Sequence, residues 1–154
     1  MSGRSASASA ALPGCGRASR RLVKHNIKLQ YQTPGSAGID IICNETAHLT
    51  SNFPALIKTG ISVEIPEGYQ GEIRPRSGIS LRERICVISG TIDSDYRGEV
   101  GVIAYYYGVG NKIINKGTRI AQLVITPCER MEIEYTDTLS STERGCNGFG
   151  STGK

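Results

Sequence analysis

The chain has little with which to build a metal cage. Its only histidines are His25 and His48, and the five cysteines (Cys15, Cys43, Cys86, Cys128, Cys146) include no C-x-x-C pair. Structural zinc sites draw on closely spaced thiolates and imidazoles, so none is expected. The odd cysteine count also argues against a disulfide framework and for a reducing, intracellular compartment. No apolar run approaches the ~20 residues of a membrane helix, and no leading apolar segment of about 7–15 residues offers a secretory signal. A membrane role is therefore not expected. Tryptophan is absent, and the aromatic content rests mainly on seven tyrosines. Acidic residues are missing from residues 1–39, which carry six of the basic ones (Arg4, Arg17, Arg20, Arg21, Lys24, Lys28). The other 12 basic residues face all 14 acidic ones, so the net charge of +4 belongs to the leading tail. A polynucleotide surface on the folded part is accordingly not expected.

What the chain does have is glycine, 19 of 154 residues, set between short apolar segments. Residues 1–22, rich in Ser, Ala, Gly and Arg, have almost nothing to bury and read as a disordered basic tail. The same makeup is shared with transit peptides, so mitochondrial targeting stands beside a cytoplasmic or nuclear location. From residue 23 apolar residues alternate: Ile27, Leu29, Tyr31; Ile61, Val63, Ile65; Val100, Val102, Ala104, Tyr106; and Met131, Ile133, Tyr135. Ile120 with Leu123 to Ile125 adds another segment. A period of two in Ile, Val and Tyr predicts half-buried strands. Pro34-Gly35, Pro66-Glu67-Gly68, Gly108 to Asn111 and Lys116-Gly117 predict the turns between them. Only Ser77 to Arg84 reads as a short helix, with Ser77 or Ser80 as N-cap. The expectation is one all-β domain over 23–143, a jelly-roll-like barrel or sandwich with one short helix, followed by a mobile C-terminal arm over 144–154.

That arm ends in GFGSTGK, which matches G-x-G-x-x-G and most of a Walker pattern. Neither phosphate-loop reading holds, because no helix follows. The local chemistry remains: glycines admit close backbone approach, Ser151 and Thr152 donate hydroxyls, Arg144 offers a charged fork, and Phe149 can stack on a base. Taken alone, the arm reads equally as a frayed terminus. PRSGIS (Pro75 to Ser80) can bring Arg76, the Ser77 hydroxyl and the Gly78 N–H to one anion, or serve as a surface loop. In GTIDSDYRGEV, Asp93 and Asp95 lie two apart, so an extended strand would turn them to one face. One of them reads as a general base or as a help to a phosphate-bound cation, against the alternative of a solvated turn. AGIDI sets a lone acid, Asp40, in an apolar strand, where it needs a partner or a role. RIAQLVI sets Gln122 in a strand that otherwise reads as core, where it serves a ligand or a backbone neighbour.

In their order and spacing AGIDI, PRSGIS, GTIDSDYRG, KGTRIAQL and RGCNGFGSTG resemble the motifs of the trimeric dUTPase family. The resemblance runs from about residue 23 to the end, and it implies hydrolysis of dUTP to dUMP and pyrophosphate with Mg2+. It further implies a homotrimer with shared active sites. By it, Asp93 resembles the base that activates water for attack at the α-phosphorus, with Asp40 and Asp95 supporting. Tyr96 resembles the platform under the deoxyribose. Arg76, Ser77 and Gly78 resemble phosphate binders, with Gln122 near the phosphates. Val87, Gly90, Thr91 and Ile92, with Gly101, resemble the hairpin that reads uracil through its backbone. Arg144, Phe149, Gly150, Ser151 and Thr152 resemble a closing arm. Mg2+ would be held mainly by substrate phosphates and water, with no direct protein ligand assigned. Ile41, Thr91 and Thr118 depart from the commonest residues of the motifs, all outside the groups given chemistry. The alternatives are a relative that deaminates dCTP and a regulator that binds dUTP without turnover.

Overall fold

A computed structural model describes residues 29–148 and the backbone of residues 22 and 23. Eleven strands and one helix follow one another: β1 (Leu22–Val23), β2 (Ile39–Ile42), β3 (Ala47–Thr50), β4 (Ala55–Ile57), β5 (Ser62–Val63), β6 (Tyr69–Pro75), α1 (Ser77–Glu83), β7 (Ile85–Val87), β8 (Gly90–Ile92), β9 (Val102–Tyr106), β10 (Asn111–Ile114) and β11 (Arg119–Pro127). All strand pairings are antiparallel, in a four-stranded sheet β2-β11-β6-β8, a three-stranded sheet β4-β9-β7, and the pairs β1-β5 and β10-β3. This is the all-β, jelly-roll-like arrangement that the alternating segments predict. No helix among the described residues is long and apolar enough to cross a membrane.

Alternation fixes the inner face. Val100, Val102 and Ala104 are buried while Ile103 between the last two is exposed, and Ile61, Val63 and Ile65 are buried in the same rhythm. They meet Ile41, Leu49, Ile57, Ile73, Ile85, Ile120 and Leu123 in one core. A slip of one residue would turn each set to solvent, so burial sets the register. Gly68 forms the predicted turn with φ +80, a conformation open to glycine at little cost, and Tyr69 N–H closes it on the Pro66 carbonyl at 3.2 Å.

Three expectations need correction. The N-cap of α1 is Arg76, not Ser77 or Ser80; it is extended (φ −104, ψ 132) and makes no side-chain cap bond. The helix is anchored by buried Ile79 and ends at left-handed Arg84, whose N–H returns to the Ile79 carbonyl. Leu29 and Tyr31 lie outside any strand. Met131, Ile133 and Tyr135 also form no strand, and they are 86%, 79% and 94% exposed. Alternation makes a strand only where a partner edge and a core face are present, and this segment of the chain meets neither.

Candidate active site

Most of the predicted site residues among the described ones fall into two groups, one along β8 and the turn after it, the other just beyond the Pro75 end of β6. The first surrounds a cleft of about 490 Å³ lined by Gly90, Thr91, Ile92, Asp93, Tyr96 and Gly101, together with Leu56, Lys58, Ile73, Ile88, Glu99 and Ile103. Strand β8 forms one wall. It is the outer strand of its sheet, so one side of its N–H and C=O groups faces away from the ladder. After Ile92 the chain turns sharply, with the Tyr96 N–H on the Asp93 carbonyl at 3.2 Å. The turn sends Asp93 into this cleft and Asp95 into a separate polar hollow beside Glu64, Glu67, Arg97 and Arg130. The shared face expected for the two acids is thus not formed, because residues 93–95 are not extended. Val87 does not line the cleft; it is buried in the core and paired with Ala104.

Tyr96 is held over its own turn. Its hydroxyl donates to the Glu99 carbonyl at 3.0 Å. A Cβ on Gly98 would fall on the phenol oxygen, so glycine is needed where the ring passes. A Cβ on Gly101 would likewise strike Leu56, narrowing the cleft.

The second group is built on an ion-pair triad. Asp40, with its side chain 5% exposed, meets Arg76 Nε at 3.1 Å through Oδ1 and Arg119 at 3.2 Å through Oδ2. Arg76 also donates to the Arg119 carbonyl at 2.8 Å. This is the partner that a carboxylate in an apolar strand requires. Gln122 stands in register between Asp40 on β2 and Arg74 on β6, so its amide shares this end of the sheet. Ser77 and Gly78 follow Arg76 as exposed residues at the start of α1, with open space above the Gly78 Cα.

The register measures the gap between the groups. Ile92 pairs with Gly71, so Asp93 leaves the ladder near Gln70, whereas Arg76 follows Pro75 at the far end of β6. At ~3.3 Å per residue this is a backbone offset of roughly 20 Å along the strand, before the reach of either side chain. The described part of the arm, residues 144–148, joins neither group. Through residue 148 it is folded into local turns, with Arg144 Nε donating to the Asn147 carbonyl at 2.9 Å and Gly145 N–H to the Thr142 carbonyl at 3.1 Å. Phe149, Gly150, Ser151 and Thr152 lie outside the described residues, as do residues 1–21 of the expected tail; its last residue, Leu22, stands in β1.

Sequence reasoning missed Leu56 and Ile103 in the cleft, whereas Ile88 falls inside the expected hairpin segment 87–92. The signal for the first two was present as apolar residues on the outward side of strands, where Leu56 pairs with Ile103; the Ile88 N–H donates to the Ile103 carbonyl at 2.9 Å. Lys58, Glu99 and Arg119 carried no comparable local sign. Among the described residues no three His, Cys, Asp or Glu side chains gather as a metal cage.

Comparison with known proteins identifies the family. A dUTPase family profile matches residues 24–153. The deoxyuridine 5'-triphosphate nucleotidohydrolase of Beijerinckia indica is 49% identical over 129 residues, covering 80% of this chain and 81% of that protein. The corresponding protein of Anaeromyxobacter sp. is 45% identical over 127 residues, covering 81% and 86%. A variant dUTPase of Staphylococcus bacteriophage 80alpha, solved with dUpNHpp, superposes with a TM-score of 0.80 at 31% identity, covering 88% of this chain and 97% of that one. A dUTPase variant of S. aureus phage phi11, described with a structural Mg(II) ion, superposes with a TM-score of 0.70 at 29% identity, covering 77% and 95%. With a dUTPase profile spanning residues 24–153 and relatives 45% and 49% identical over most of their length, the chain belongs to the dUTPase family.

Proposed function

We propose that the protein is a dUTP diphosphatase that converts dUTP and water to dUMP and pyrophosphate. The observation that carries this reading is the cleft in which Asp93 and Tyr96 stand beside the outward backbone of β8. Uracil would bind along Gly90, Thr91 and Ile92, with backbone groups of the edge strand as its partners. Tyr96 would lie beneath the deoxyribose. Asp93 would take a proton from water as the water oxygen bonds to the α-phosphorus; the bond from that phosphorus to the bridging oxygen then breaks, and pyrophosphate leaves. Arg76, Ser77, Gly78 and Gln122 would hold the phosphates. Arg144 and the residues of the arm after it would close the site and exclude water. Mg2+ would be held mainly by the substrate phosphates and water, and it would supply neutralisation of phosphate charge. The dUMP formed would feed thymidylate synthesis, and removal of dUTP would limit uracil in DNA.

A backbone offset of roughly 20 Å along β6 sets Asp93 and Arg76 well apart within one chain. This supports a homotrimer in which one chain brings Asp93 to the Arg76 end of a neighbour. Release of pyrophosphate from dUTP with Mg2+, followed beside ammonia release from dCTP, tests the reading. Turnover of dUTP alone is expected. No turnover would favour a dUTP-binding regulator, and comparable ammonia release would favour a deaminase.

A further inference from the structure

We infer that Glu99 is a positioning residue that sets the sugar selectivity of the cleft by holding Tyr96 in place. The inference rests on the proposed reading that Tyr96 packs under the sugar. Glu99 occupies an exposed turn, yet its carboxylate is committed: Oε1 accepts from the Thr59 N–H at 3.0 Å and from the Gly60 N–H at 2.8 Å. Two successive amides ending at a glycine with φ +67 form a small anion-receiving hollow, here filled from within the chain. Bonds from N–H groups to a carboxylate are among the stronger ones in proteins. The next residue is tied to the same loop, with the Thr59 hydroxyl on the Val100 carbonyl and the Val100 N–H on the Ile61 carbonyl at 2.7 Å.

The backbone of residue 99 is thereby fixed from two directions, and the Tyr96 hydroxyl hangs on its carbonyl at 3.0 Å. Gly98 leaves the ring room to lie flat against the turn. The loop that Glu99 grips follows directly on Leu56 and Lys58, which form another wall of the cleft. One carboxylate therefore fastens two walls together, and the distance between them decides whether a 2'-hydroxyl fits.

The test compares Glu99→Ala with Glu99→Gln, whose amide oxygen still accepts both N–H bonds. The ratio of kcat/KM for dUTP over UTP is expected to fall by about tenfold to a hundredfold in the alanine variant, through a misplaced ring, and to recover largely in the glutamine variant. A merely structural role would lower the melting midpoint and slow both nucleotides alike, leaving the ratio unchanged; that result would overturn the inference. Should the alanine variant not fold, the same ratio is read in Glu99→Asp, which is one methylene too short to span both amides. Failure of the unaltered protein to hydrolyse dUTP would sink the proposed function instead. Dissociation constants for dUMP and UMP, measured by calorimetry in the same variants, then still decide the role of Glu99. Equal loss of both nucleotides would count against it.

Discussion

Asp40 Oδ1 lies 3.1 Å from Arg76 Nε, and this contact holds the guanidinium against the sheet while its other nitrogen donates to the Arg119 carbonyl. The long Arg76 side chain is thus preset before any anion arrives. Asp40→Ala releases it and leaves two guanidinium groups without their shared counter-ion. Breaking a fully buried pair costs ~3–5 kcal/mol, but Arg76 and Arg119 are 25% and 52% exposed. A loss of about 1–3 kcal/mol in urea unfolding is expected, because water covers part of the freed charge. The KM for dUTP should rise as well; an unchanged KM would separate the triad from phosphate binding.

Asp93 faces the cleft while Asp95 faces away from it, so the two acids should respond differently. Asp93→Asn should keep dUTP binding and lower kcat by about 10²–10⁴, the range for loss of a general base. Asp95→Asn should leave kcat within a small factor. Single-turnover kinetics with calorimetry for binding checks both, and a working Asp93→Asn enzyme would remove Asp93 as the base.

The bonds of Arg144 to Gly148 are local, reaching only to Thr142 among the residues before them. A chain ending at Glu143 should therefore unfold at the same temperature as the full chain while losing most turnover. Calorimetric melting and a pyrophosphate assay on the same preparation check this. Full activity in the shortened chain would show the arm to be dispensable.

Glu72 sits beside Arg74, whose Nε donates to it at 2.7 Å, and this hydrogen bond holds its carboxyl below the ordinary 4.5. A lowered folded-state value means that its contribution to stability is complete above pH 4.5 and is lost as pH falls through the lower folded value. Carbon-13 NMR titration should find the Glu72 carboxyl titrating low in the unaltered protein and returning toward its ordinary range in Arg74→Ala. No movement in that variant would exclude Arg74 as the cause.

How much of this could be read in advance depended on whether the cause was local. Val100, Val102 and Ala104 announce their strand because the period of two is itself the packing rule. Asp40 announces a need, a charge in an apolar strand, but not its answer: Arg119 lies 79 residues away and only the β2-β11 register brings it near. Asp93 and Asp95 misled because spacing on an extended strand says nothing once the chain turns. Met131, Ile133 and Tyr135 carry a good strand pattern, yet a pattern on one side cannot supply the edge it would pair with. Nothing in the sequence singles out Glu99, since its partners are backbone amides, which leave no mark there.

The arrangement of β6, with Asp93 near one end and Arg76 beyond the other, has a genetic consequence. On the proposed trimeric reading, a chain defective in Asp93 still offers an intact Arg76 end, and a chain defective in Arg76 still offers an intact Asp93. Two alleles, each inactive alone, should then complement one another when expressed together. Activity recovered on co-expression of Asp93→Asn and Arg76→Ala chains, and absent when separately assembled proteins are simply mixed, would show that the catalytic unit is the meeting of two chains.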